Sequence, residues 1–248
     1  MKINILVDDE KCWNLNTVRR LILYLDKKKI KIDQIWILPN KLSNLKGNKI
    51  SLWYYKTFGF IVFLKLSIFY LLVTTYNFFN RINNFKQLAL KHNIKYRYIN
   101  STSDKHLLRN INKGNKKISL LISNHILKKK LISQKNHFFI NKHSSILPSY
   151  KGLMPYLWTK INDSDNGITF HLVNTKIDSG KIIFQKRIKS KFDSMIGFYI
   201  DIFNSFPSYF VKSLSNLEKK IFIKPKTQRS YYSIPNNGDY HKFLKKKG

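Results

Sequence analysis

The stretch FFINKHSSILPSYKG, Phe138 to Gly152, decides how this chain is read. An apolar run, the mark of a buried strand, ends at Asn141 and His143 and opens into a loop carrying Pro148 and Gly152. A second stretch, GITFHLVNTKIDSGKII from Gly167 to Ile183, places His171 in a strand and follows it with Asp178 and Gly180 in a turn. An amide, an imidazole and a carboxylate are thereby expected at strand ends, where α/β folds commonly hold their chemistry.

Outward from this point the chain alternates strand-like and helix-like segments. Lys2 to Val7, Lys31 to Leu38, Lys95 to Ile99, Ile118 to Ser123, Ile168 to Val173 and Ile182 to Ile188 read as strands. Leu15 to Leu25, Phe85 to His92, Asp104 to Asn112, the basic run Lys128 to Gln134 and Pro155 to Asn162 have helical spacing. This order predicts an α/β fold with a doubly wound, mostly parallel sheet. Phe192 to Leu217 is expected to be a long C-terminal helix broken or kinked at Pro207, followed by a short tail that packs back through Tyr231 and Tyr232. The expected division is a catalytic domain over 1–190 and an appendage over 191–248.

Phe58 to Phe79 is almost wholly apolar and long enough to span a bilayer. Lys65 near its middle argues against a span, so a packed or surface-lying helix pair ranks first and an interfacial membrane helix second.

The balance of 46 Lys and Arg against 13 Asp and Glu leaves a net charge of +33. Only seven of these bases are Arg, and the lysines are spread along the whole chain, which fits a solvated surface better than a nucleic-acid stripe. Cys12 is the single cysteine, so an internal disulfide and a Cys-based zinc cluster are both excluded. His125, His137, His143 and His171 show no metal-ligand spacing, and Ser144 and Ser145 lie in no nucleophile elbow, so neither metal nor serine-hydrolase chemistry is expected. The amino terminus MKINILVDDE has no secretory h-region, and a cytoplasmic location is expected.

Asn141 and His143 flank Lys142, so an extended backbone turns both toward one side. Together they could stabilise an oxyanion, and the imidazole could carry a proton; Asp178 could orient and charge it. The bland readings are a structural loop histidine, a turn-forming Asn and an ordinary Asp-Ser-Gly turn.

The spaced run N-K-H-S-S-I-L-P-S-Y-K-G, with G-I-T-F-H and I-D-S-G-K-I-I after it, resembles the 10-formyltetrahydrofolate-dependent formyltransferases over about Ile118 to Gln185. The resemblance implies a Rossmann-like domain and assigns Asn141, His143 and Asp178 to the catalytic positions. It places Asn124, His125, Ile126 and Leu127 in the folate-binding loop, and puts His171, Ser145 and Gly152 near substrate or behind the site. Lys142 and Ser144 depart from the family pattern, where an apolar residue and a proline are common. The implied reaction is attack of an acceptor amine on the formyl carbon, with Asn141 and protonated His143 stabilising the tetrahedral oxyanion and no metal required.

Among acceptors, Asp8-Asp9-Glu10 after the first strand would repel the phosphate of glycinamide ribonucleotide, and the residues after Phe192 are too few for the barrel of methionyl-tRNA formyltransferases. The amino group of a nucleotide-linked sugar, used in surface polysaccharide synthesis, is the expected acceptor. A homodimer is left open. The rival from another class is a non-enzymatic, basic protein binding nucleic acid or a membrane surface.

Overall fold

The structure, a computed structural model, describes residues 2–112, 117–134, 136–189 and 194–246. The chain divides into two compact units, Met1–Phe138 and Phe139–Gly248. The expected boundary at 190/191 and the expected helix start at Phe192 lie outside the described residues.

In the first unit β1 (Lys2–Asp8), α1 (Trp13–Lys27) and β2 (Lys31–Leu38) form a βαβ unit. A small hairpin follows, β3 (Lys41–Leu42) and β4 (Leu45–Lys46), then α2 (Asn48–Phe79), α3 (Phe85–Lys91), β5 (Lys95–Tyr98), α4 (Lys105–Asn112), β6 (Lys117–Ile122) and the single turn α5 (Lys129–Ile132). The strands run in the order β6-β1-β2-β5, all parallel. Every residue of β1 from Ile3 to Asp8 is buried, as a strand covered on both faces requires. The helix α1 turns Leu15, Val18, Leu21, Ile22 and Leu25 inward, the 3–4 spacing of a one-sided helix.

The expected helix pair is found within α2, as two helical stretches that meet at Gly59, whose φ of 77° and ψ of 172° are open to a residue without Cβ. It is long and apolar enough to cross a membrane, yet only 11% of its most apolar window is buried. Its contacts with the unit include Trp13 stacked on Phe69 at 4.9 Å between ring centroids and a hydrogen bond from the buried Asn77 amide to the Lys11 carbonyl at 3.3 Å.

The second unit contains β7 (His137–His143) from Phe139 onward, β8 (Lys151–Gly152), α6 (Pro155–Ile161), β9 (Gly167–Leu172), β10 (Ile182–Arg187), α7 (Met195–Glu218), β11 (Tyr231–Tyr232) and α8 (Asn237–Lys245). Here β7, β9 and β10 pair antiparallel in that order. The short 173–181 connection leaves no room for a crossover helix, so β10 must return as a hairpin. The α/β expectation therefore holds, with the parallel order realised in the first unit and an antiparallel set in the second.

Of the expected break or kink at Pro207 the break is absent: α7 continues through it. Phe206, Pro207 and Phe210 are all buried, and Phe206 and Phe210 pack on Phe170 of β9 at 5.5 and 6.0 Å, so aromatic burial offsets the missing backbone hydrogen bond. The tail does pack back: β11 pairs with β8, and Tyr232 stacks on Trp158 and Tyr150.

Candidate active site

The site grows from the pairing of β7 with β9. Asn141 lies directly opposite His171, and His143 opposite Thr169, so the alternation of a strand puts Asn141, His143 and His171 on one face and Lys142 on the other. Asp178, in the 173–181 turn, reaches back to this face from a left-handed backbone conformation (φ 45°).

The Asp178 carboxylate is the hub. One oxygen, Oδ1, lies 3.4 Å from the Asn141 amide nitrogen and 3.5 Å from His171 Nε2. The other, Oδ2, accepts the Gly152 N–H at 3.0 Å and lies 3.5 Å from His143 Nδ1. On its far side His143 donates Nε2–H to the Tyr150 carbonyl at 2.7 Å, since a carbonyl can only accept. In the same way His171 donates Nδ1–H to the Leu172 carbonyl at 2.9 Å, which leaves Nε2 able to accept from Asn141 at 3.4 Å.

The three expected catalytic side chains therefore meet, with His171 among them. Burial alone would raise the Asp178 carboxyl, but the facing His143 and His171 and the Gly152 N–H outweigh it and hold the carboxyl well below the usual carboxylate range. For His143 burial wins: it lowers the imidazole below its usual value despite Asp178 and the Tyr150 carbonyl. Asp178 is thus ionised near neutral pH, and its charge favours the protonated imidazole that burial of His143 opposes.

Ser145 is buried, with its hydroxyl 2.8 Å from the Ser149 carbonyl and 3.4 Å from the Tyr150 carbonyl to which His143 also donates. Gly152 contributes through its backbone, as does the Tyr150 carbonyl. The carbonyl's place had no signal in the side-chain pattern, because any residue supplies one.

Lys142 and Ser144, the two departures from the expected pattern, answer each other: the Lys142 ammonium donates to the Ser144 hydroxyl at 3.0 Å and lies 5.1 Å from the centre of the Phe203 ring. Burial pulls the Lys142 ammonium down to about 8. Its folded value lies below its unfolded one, so the cost of charging it is fully present below about 8 and vanishes as pH rises toward the ordinary lysine range. Lys142→Met should stabilise the protein by roughly 1–3 kcal/mol at neutral pH. Chemical denaturation should show that gain shrinking toward pH ~10.

The expected folate loop belongs to the first unit, and Asp8 organises it. Burial raises the Asp8 carboxyl to about 7, against the pull of the Asn124 N–H and the Ser123 hydroxyl, both of which donate to it. Asn124 also donates its amide to the Lys41 carbonyl at 2.9 Å, and His125 pairs with the Pro39 carbonyl at 2.9 Å. The Ile126 carbonyl accepts from Thr102 at 3.3 Å; its side chain is exposed while Leu127 is buried. The loop is thus pinned on both sides with one apolar side chain presented outward.

Glu10 clarifies the acidic turn. Its carboxylate accepts the N–H groups of Cys12, Trp13 and Asn14 at 2.8, 2.6 and 2.8 Å, filling the start of α1 where an anion would otherwise bind. The N–H groups at the start of α1 are therefore already engaged by a side chain of the turn itself.

Residues 86–194 match the formyl transferase family. The matched segment contains the expected folate loop and all of Asn141, His143, His171 and Asp178. A methionyl-tRNA formyltransferase of Azobacteroides pseudotrichonymphae is 31% identical over 107 residues, which cover 43% of this chain and 33% of that protein. The chain thus spans about a third of the length of the curated relatives it matches. Among solved structures, the N-formyltransferase of Helicobacter canadensis, crystallised with folinic acid and dTDP-3-aminofucose, superposes with a TM-score of 0.57 at 18% identity, covering 94% of this chain and 71% of that one. The phosphoribosylglycinamide formyltransferase of Anaplasma phagocytophilum gives 0.59 at 14% identity, covering 95% and 99%. At these identities the likeness establishes the formyltransferase fold; enzymes with different acceptors share it.

Proposed function

We propose that the protein transfers a formyl group from 10-formyltetrahydrofolate to the amino group of a nucleotide-linked sugar. The observation that carries the reading is the Asp178 hub, which gathers Asn141, His143, His171 and the Gly152 N–H within 3.5 Å. The folate supplies the formyl group. A pinned loop with the exposed Ile126 suits a flat pterin ring, and the residues that would hold it are Asn124 to Leu127.

In this reading the acceptor amine attacks the formyl carbon, a new C–N bond forms, and the bond from that carbon to the folate nitrogen breaks. The Asn141 amide donates to the oxygen as it gains charge. The amine must lose a proton as it attacks. His143 takes it up at Nδ1, and the ionised Asp178, 3.5 Å from that nitrogen, stabilises the resulting imidazolium. His143 returns that proton to the departing folate nitrogen, and no group on the enzyme changes covalently.

The acceptor rests on two supports. Glu10 fills the phosphate position at the start of α1, which disfavours glycinamide ribonucleotide. The Helicobacter canadensis enzyme, of like fold, was crystallised with an amino-sugar nucleotide. The sequence relatives keep methionyl-tRNA in view as a second acceptor. The deciding experiment follows release of tetrahydrofolate with a panel of dTDP- and UDP-linked amino sugars, methionyl-tRNA and glycinamide ribonucleotide. Turnover with an amino-sugar nucleotide is expected, and it should vanish in His143→Ala. Turnover with methionyl-tRNA alone would replace the acceptor, and absence of both folate binding and turnover in folded protein would overturn the reading.

A further inference from the structure

The helix α2 presents a surface that formyl transfer does not use. One stripe holds it to the first unit: Phe58, Val62, Leu66, Phe69, Val73 and Asn77 recur every three or four residues and are buried or half-buried. The opposite side carries Ile61, Leu64, Ile68, Leu71, Leu72 and Phe79, all exposed, with Ile61 at 68% and Phe79 at 77%. The polar interruptions on that side are Lys65, Ser67 and Thr75. A helix that meets water places its polar residues outward, whereas this one is apolar on both sides, and a continuous apolar patch of that kind marks a contact surface.

Charge selects what covers it. Between Asp33 and Asp104 the chain has no acidic residue and ten basic ones. Lys49, Lys56 and Arg81, within and just beyond α2, are exposed. Two copies of such a surface would repel each other, with Lys65 inside each patch, whereas an anionic lipid surface is attracted to it. Lys65 can lay its stem along the apolar face and keep its ammonium at the headgroups. Trp53, Tyr54 and Tyr55 stand near one end of the helix and Tyr76 near the other, residue types suited to the bilayer interface. The Asn77 and Trp13 contacts hold the inner stripe on the protein, so the helix lies in the membrane plane instead of crossing it.

We propose that α2 is an interfacial anchor, seating the first unit on an anionic bilayer with the Ile61, Leu64, Ile68 and Leu71 face at the acyl boundary. The inference is independent of the acceptor and of the reaction. Its test is flotation of the full chain with vesicles of phosphatidylcholine alone or with phosphatidylglycerol, comparing wild type with the combined variant Ile61→Gln, Leu64→Gln, Ile68→Gln and Leu71→Gln. These substitutions leave the charge unchanged and are all exposed, and circular dichroism and thermal melting confirm that the variant is folded. The wild type should float with the phosphatidylglycerol vesicles, and the variant should partition at least about tenfold more weakly. Equal binding by the two would mean that charge alone adsorbs the protein and would overturn the proposal. So would failure of the wild type to float, or a lipid-free dimer that sedimentation velocity shows the variant to dissociate.

Discussion

Asp178→Asn should lower the rate of formyl transfer by about 10²–10⁴-fold while leaving the protein folded. The substitution keeps the shape and removes the charge. In the wild type that charge faces His143 Nδ1 and His171 Nε2, both at 3.5 Å, and in the proposed reaction the imidazole that gains a proton depends on it. An amide in that place gives the imidazolium no counter-charge, and the low-dielectric surroundings make the loss larger than it would be at a surface. Single-turnover measurements with a saturating acceptor should place the loss in the chemical step, with folate binding little changed. The pH profile supplies a second readout. Because burial lowers His143, the wild-type rate should fall on the acid side with an apparent pKa below the ordinary imidazole value of about 6.5. Stability should also respond. The Asp178 carboxyl lies below its unfolded value, so its contribution is fully present above the ordinary carboxylate range and is lost as pH falls through the folded value; the Asn variant should lack this slope. A variant with wild-type turnover would remove Asp178 from the mechanism.

Gly152→Ala should be damaging from the opposite direction, by adding one methyl group. Gly152 has a φ of 96°, and a Cβ built there would stand 2.0 Å from the backbone carbonyl oxygen of Tyr232. That oxygen belongs to β11, the partner strand of β8, so it can move only if the pairing opens. The same residue donates its N–H to Asp178, and a shift of the β8 backbone therefore displaces the hub. The expected cost is roughly 1–3 kcal/mol in stability. Activity should fall at least about tenfold beyond what the population of folded protein explains. Thermal melting and turnover on the same preparation separate the two effects. Retention of both would show that the loop relaxes freely and that the Gly152 N–H is dispensable.

These two residues show how much of the site could be read in advance. Asn141 and His143 were legible as a pair because a strand alternates with period two, and both were expected on the face they occupy. Asp178 was legible as a spaced carboxylate, and Gly152 as a residue near substrate or behind the site. The backbone duty of Gly152 was not legible: its N–H donates to Asp178, and the carbonyl that leaves no room for a Cβ, Tyr232, comes from the far end of the second unit and carries no side-chain signal. Lys142 and Ser144 read separately as two departures; only their proximity makes them one compensated pair. Pro207 read as a break or a kink because local chemistry disfavours it in a helix, and the aromatic packing around Phe206 and Phe210 keeps the helix continuous there.

What the sequence determined by itself is local and periodic: the positions of strands and helices, the facing of Asn141 and His143, the acidic turn at Asp8 to Glu10 and the apolarity of the 58–79 stretch. Short-range sterics and hydrophobic spacing suffice for all of these. Only the tertiary structure decided that Asp178 faces both His143 and His171, that Glu10 fills the start of α1, and that α2 turns an apolar side outward. Each depends on which groups are withdrawn from water together, and burial is a property of the assembled chain, since it sets both the cost of a charge and the partners within reach of it.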